Sequence, residues 1–155
     1  MKRYLYLIGL LVSFASLTAC DKNNDPAPDP IIGTWKLDKI RTSGFVAPYT
    51  SLNVDADPAL SNTQDIFTLN SDKTFTGTYR SPAVYNYSGT WSFASPTLTV
   101  KDPKGNSETY TLDQTKTPAQ LLTGVYSMSK ILTNPTTNKQ DTVKYTTQSI
   151  YVKQP

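Results

Sequence analysis

The chain has 155 residues, one cysteine and no histidine, with 15 lysines and arginines against 12 aspartates and glutamates, a formal net charge of +3. That length suits one domain and buries a core without disulfides or metals, and a single cysteine cannot pair within the chain. Setting aside Lys2 and Arg3 at the N-terminus, 13 basic residues face 12 acidic ones, and no basic run of the kind that binds nucleic acid or an anionic membrane remains.

Tyr4 to Ala15 is a mostly apolar run, too short to span a bilayer and of the length of a signal-peptide core. Taken alone, Cys20 is a buried small residue, a reactive thiol, an intermolecular bridge or a site of modification. Its neighbours decide: Asp21 to Pro30, DKNNDPAPDP, holds no apolar residue larger than alanine, and its alternating prolines favour an extended, solvated chain. Leu17-Thr18-Ala19-Cys20 resembles the lipobox of bacterial lipoproteins, in which the cysteine thiol receives a diacylglyceryl group before cleavage. The resemblance implies a signal peptide over 1–19, a lipidated Cys20 with a flexible linker over 20–30, and a domain over 31–155 tethered to the bacterial cell envelope at the outer membrane. Each buried methylene contributes roughly 0.8 kcal/mol, so the two or three chains implied anchor durably. The aspartates after Cys20 loosely resemble surface-export signals of Bacteroidetes lipoproteins, which leaves the membrane face open.

From Ile31 onward Thr, Tyr, Ser and Val dominate, and no window shows helical periodicity, so the domain reads as all-β. Gly33 to Thr42 is the first predicted strand. DIFTLN, KTFTGTY, YNYSGTWSFA, TLTV and ETYTL follow, each with large side chains at alternate positions, which gives every strand one buried face. Turn signals separate them at Asn70-Ser71-Asp72, Ala94-Ser95-Pro96 and Asp102-Pro103-Lys104-Gly105, and connections this short make antiparallel neighbours. Two longer strands, about Leu121 to Thr133 and Asp141 to Lys153, are joined by NPTTNKQ. In the last, Val143 and Tyr145 share one parity and Ile150 and Val152 the other, which predicts a β-bulge or bend between Tyr145 and Ile150. The count is eight, and eight half-apolar antiparallel strands in meander order predict a closed up-and-down barrel, because closure removes the exposed edges.

Ile31-Ile32-Gly33-Thr34-Trp35-Lys36-Leu37 at the start of the first strand resembles the Gly-x-Trp signature of lipocalins. LNSDKTF and SGTWSF resemble the later pattern of bacterial lipocalin-like lipoproteins, and the likeness covers most of residues 31 to 113. Lipocalins proper place an arginine on the closing strand over the tryptophan; here that strand offers Lys144 and Lys153.

The inward positions, Trp35, Phe67, Phe75, Tyr79, Tyr87, Trp91, Phe93, Tyr110, Tyr126 and Tyr145, are bulky. At roughly 150 to 250 Å² per ring they confine any cavity to one mouth. A rim of Tyr79, Tyr87 and Tyr126 either orients an apolar ligand or sends its hydroxyls to solvent, and Trp91 either fills the core or meets that ligand. The segment Ser43 to Gln64 is too long for a hairpin; in lipocalins the long first loop partly covers the open mouth, so Phe45, Val46, Tyr49 and Leu52 become lid candidates by resemblance. Asp57 before Pro58 marks one short helical turn.

Chemistry has little to work with. No histidine is present, which removes the commonest general base and metal ligand. Asp55 and Asp57 lie two apart but lack the glycine and terminal glutamate of a calcium loop, and Glu108 and Asp113 flank a strand and read as solvated. No catalytic residue, metal or cofactor is expected. Two principal readings stand: a tethered barrel binding a small hydrophobic or amphipathic molecule at its mouth through Phe45, Tyr49, Tyr79, Tyr87, Trp91 and Tyr126, or a module docking another envelope protein or an extracellular polymer. An enzyme is the least supported class.

Overall fold

The computed structural model describes residues 29–155; the expected signal peptide, Cys20 and the expected linker up to residue 28 lie outside the described residues. Ten strands form one antiparallel sheet: β1 (Gly33–Ser43), β2 (Val54–Ala56), β3 (Gln64–Leu69), β4 (Thr74–Arg80), β5 (Val84–Ala94), β6 (Thr97–Lys101), β7 (Ser107–Asp113), β8 (Gln120–Thr123), β9 (Tyr126–Thr133) and β10 (Gln140–Lys153). Pairing of β1 with β10 closes β1, β3, β4, β5, β6, β7, β8 and β10 into an eight-stranded barrel. The alternation seen in YNYSGTWSFA and its neighbours thus serves a common interior.

Beyond the ring, β2 pairs with Ile40 to Thr42 of β1, and β9 pairs with Gln140 to Thr147 of β10. These four strands extend one side of the barrel as a raised wall. Two sequence expectations are corrected here. The segment from Ser43 to Gln64 is not wholly loop: beside a short turn at Thr50–Leu52 it contributes β2 and, as Asp57-Pro58 led one to expect, a helical turn at Pro58–Ser61. That turn is capped as its sequence requires: the Asp57 carboxylate accepts from the Ala59 amide at 2.9 Å, with Pro58 in the first position. The predicted strand Leu121 to Thr133 is broken at Gly124-Val125 into β8 and β9.

That break explains the parity change in the last strand, which has no bulge of its own. Leu122 pairs with Ile150 and Tyr126 with Thr147, four steps on one strand against three on the other, so the extra residue lies in Gly124-Val125. On the opposite edge β1 carries a second irregularity, with Leu37 opposite Tyr151 and Lys39 opposite Ile150, which leaves Asp38 as its extra residue. Val143, Tyr145 and Tyr151 keep one parity along β10, and Ile150 points the other way, beside Lys39 and Leu122.

One end of the barrel is plugged. Trp35 is fully buried there, its indole N–H donates to the Ile31 carbonyl at 2.8 Å, and Lys153 Nζ stands 5.9 Å from its ring centroid. Lys153 thus occupies the position over the tryptophan that arginine fills in lipocalins proper, and Lys144 does not. Trp91 sits at the same end: it donates to the Asn70 carbonyl at 3.1 Å, and Lys73 Nζ lies 3.8 Å over its ring. Ile31, Leu69, Leu98, Leu112 and Leu121 fill the space around them, each worth about 1.5–3 kcal/mol in removed apolar surface.

Higher up, Phe67, Tyr110 and Tyr151 form a triangle of rings with centroids 5.3 to 5.7 Å apart that fills the middle of the barrel. A Cβ on Gly89 would collide with the Lys101 carbonyl and with Phe75, so only glycine lets β6 cross this close to β5. A second, smaller cluster joins Phe45, Tyr49 and Val143 with Leu132 and Tyr145 on the raised wall. Tyr145, read as an inward barrel residue, belongs to that cluster instead, with its ring stacked on Phe45 at 4.7 Å.

Candidate functional site

Above the ring triangle the barrel becomes polar. The inward parity of β3 runs Leu69, Phe67, Asp65, and that of β7 runs Leu112, Tyr110, Glu108, so each strand carries a carboxylate at the open end. Asp65 accepts a hydrogen bond from the Tyr87 hydroxyl at 2.6 Å and another from Tyr151 at 2.7 Å. Glu108 accepts from Tyr110 and from Tyr126, both at 3.1 Å, one on each oxygen. Glu108, expected to be solvated at a strand end, is therefore corrected to a strand residue facing the interior. Asp113, half-buried at the end of β7, accepts instead from the Thr115 amide and hydroxyl.

Burial dominates the electrostatics of this layer. It pushes the Asp65 carboxyl above its ordinary value, opposed by the Tyr87 and Tyr151 hydrogen bonds and reinforced by the nearby Glu108 charge. Burial likewise pushes the hydroxyls of Tyr87, Tyr110 and Tyr151 far up, with the carboxylates adding to the shift. All three are neutral donors across the physiological range.

A cavity of about 530 Å³ opens in this layer, lined chiefly by Phe75, Tyr87, Val100, Glu108, Tyr110 and Tyr126. Phe75, Val100 and the ring of Tyr87 supply its apolar surface, and Phe75 and Tyr87 hold each other at 6.0 Å. The ring of Tyr87 lies across Gly77, where a Cβ would overlap it. Glycine at 77 therefore sets how far the ring reclines from the opening. A size of this order accommodates a small molecule, and a mostly apolar lining with a few convergent polar groups is the usual composition of a ligand site. A depression of about 490 Å³ on the outer face, by contrast, is lined largely by threonines such as Thr34 and Thr68, whose hydroxyls pair across the strands at 2.9 Å.

The six residues singled out from sequence divide between four places. Tyr87 and Tyr126 line the mouth cavity. Tyr79 stands one register further out, its ring 5.1 Å from that of Tyr85. Phe45 and Tyr49 join the smaller cluster of the raised wall; Tyr49 donates to Asp141 at 2.8 Å and borders a separate cavity of about 630 Å³ with Val46, Pro48 and Asn134. Trp91 lies at the plugged end, buried, and does not line the mouth cavity. Sequence reasoning missed Asp65, Glu108 and Tyr151, although the alternation that placed Phe67 and Tyr110 inside places both carboxylates there too.

Asp55, weighed as half of a cation site with Asp57, forms a two-pronged ion pair with Arg41, both contacts at 2.9 Å. No group of three or more metal-ligating side chains occurs among the described residues. No described helix is long and apolar enough to cross a membrane.

No curated protein matches the chain. The family model for the lipocalin-like domain matches residues 31–118, from Ile31, whose carbonyl accepts from the Trp35 indole, to the approach to β8; the closing strand β10 lies beyond the matched part. With a closed eight-stranded antiparallel barrel, its tryptophan-plugged base and a match over more than half its length, the chain belongs to the lipocalin-like domain family.

Proposed function

We propose that this protein is a lipid-anchored envelope lipoprotein whose barrel takes up a small hydrophobic or amphipathic ligand at its open end, without catalysing a reaction. The observation that carries the reading is the mouth cavity, with apolar walls below and tyrosine-held carboxylates beside it. The ring triangle beneath confines the ligand to that end, so long lipids are accommodated only with part of the chain outside. Support for the anchor comes from Leu17-Thr18-Ala19-Cys20 and the polar stretch after it.

Native mass spectrometry of the protein purified from its own envelope tests the ligand. A bound non-protein mass that is lost on denaturation is expected; a bare polypeptide mass contradicts the reading. For the anchor, Cys20→Ala is expected to move the protein from the membrane to the soluble fraction, and retention in the membrane contradicts it.

A second reading, docking of another envelope protein or an extracellular polymer, is favoured by β9. Its outer edge pairs with no strand among the described residues, and it exposes Met128 and Ile131, the latter 65% exposed. A ligand-free spectrum with a co-purifying polypeptide or glycan would favour that reading.

A further inference from the structure

Resting on the ligand-binding reading, we propose that the ligand is an organic cation: an amphiphile whose ammonium head sits against Glu108 among the rings of Tyr110, Tyr126 and Tyr87. The argument starts from sign of charge. The cavity lining includes the carboxylates of Glu108 and Asp102 and no lysine or arginine. Asp102 is committed to its own turn, accepting from the amides of Lys104 and Asn106 and from the Asn106 side chain at 2.7 to 2.9 Å. Among the described residues the side-chain partners of Glu108 are tyrosine hydroxyls, and so are those of Asp65 behind Tyr87. Among the described residues neither carboxylate forms an ion pair.

Hydroxyl donors orient a carboxylate but leave its negative charge in place. That charge faces an aromatic-walled space where it is less screened than in bulk water. An ammonium group there gains the charge of Glu108 and the negative faces of the surrounding rings together, the combination by which alkylammonium heads are recognised. A fatty carboxylate entering the same space meets like charge from Glu108 and from Asp65 behind it, so the arrangement also rejects anionic amphiphiles. The apolar tail has Phe75 and Val100 to lie against.

The test is titration calorimetry of the purified full chain with three probes sharing a decyl tail, each below its micelle concentration: decyltrimethylammonium, decanol and decanoate. Decyltrimethylammonium is expected to bind about tenfold or more tighter than decanol, and decanoate more weakly than either. In Glu108→Gln, which removes the charge, keeps one acceptor oxygen and turns the other into an amide donor that a tyrosine oxygen can accept, the cation's advantage is expected to fall to about twofold or less. Tyr126→Ala, at the half-exposed rim, is expected to weaken the cation about fivefold while changing decanol less. Equal binding of decanol or decanoate to the wild type overturns the cation assignment while leaving a ligand-binding mouth intact. Binding of none of the three overturns both. A cation preference that survives Glu108→Gln and Tyr126→Ala alike overturns the placement of the head group.

Discussion

Replacing Asp65 with leucine keeps the number and branching of the side-chain heavy atoms, at a somewhat larger volume, and removes the acceptor that Tyr87 and Tyr151 share. Each buried hydroxyl left without a partner costs about 1–3 kcal/mol, so two set a gross loss of about 2–6 kcal/mol. Tyr151, only 5% exposed, carries its full share. Tyr87 borders the cavity and regains water there, and the variant no longer buries a carboxylate, so the net loss falls toward the lower end, about 2–3 kcal/mol. Asp65→Asn, which keeps two hydrogen-bonding atoms, is expected to cost much less and to change how stability depends on pH. Burial raises the Asp65 carboxyl in the native state, so the native protein holds that proton to higher pH than the unfolded chain does. Its contribution is full below the ordinary carboxylate range and is lost as pH rises through the raised native value. Relative to Asp65→Asn, the wild type should therefore lose stability with rising pH across that window. Urea denaturation followed by the fluorescence of Trp35 and Trp91, from pH 3 to 8, reads both effects. An Asp65→Leu penalty under about 0.5 kcal/mol, or equal pH slopes for wild type and Asp65→Asn, would refute the buried carboxylate and its two donors.

Gly89→Ala places a methyl against the Lys101 carbonyl and Phe75 and is expected to cost about 3 kcal/mol or to prevent folding, read as a denaturant midpoint or as loss of soluble protein; an unchanged midpoint would contradict the close crossing of β5 and β6. Trp35→Phe strands the Ile31 carbonyl and removes the plug's hydrogen bond, for an expected loss of about 1–3 kcal/mol by the same denaturation. Asn134 first and Tyr49 second hold the Asp141 carboxyl below its ordinary value, so Tyr49→Phe should raise it partway back, as an NMR titration of Asp141 would show. The sign there is opposite to Asp65: the contribution of Asp141 is present above the ordinary carboxylate range and is lost as pH falls through its depressed native value.

The barrel was legible because alternation is a local signal: Phe67 with Leu69, Trp91 with Phe93 and Tyr110 with Leu112 each mark an inner face without reference to any other strand. What was misplaced depended on neighbours. Ile150 and Val152 promised a bulge in β10, but the extra residues lie in the strands on either side, at Asp38 and at Gly124-Val125. The shift from Trp35 and Leu37 to Ile40 in the first strand was a visible trace of the former. Glu108 read as a surface residue because a carboxylate usually faces water, Asp65 was not singled out at all, and only the closed ring brings Tyr110 and Tyr126 to the first and Tyr87 and Tyr151 to the second. The position of Phe45 and Tyr49 was beyond local reading, since it is set by the raised wall that β2 and β9 add to the ring.

The most direct measurement is where a bound amphiphile lies. Intermolecular NOEs from the decyl tail and head-group protons of decyltrimethylammonium are predicted to reach the rings of Phe75, Tyr87, Tyr110 and Tyr126 at the mouth. NOEs confined to Met128 and Ile131 on β9, or to Ile66 and Val84 elsewhere on the surface, would contradict a ligand held in the open end of the barrel.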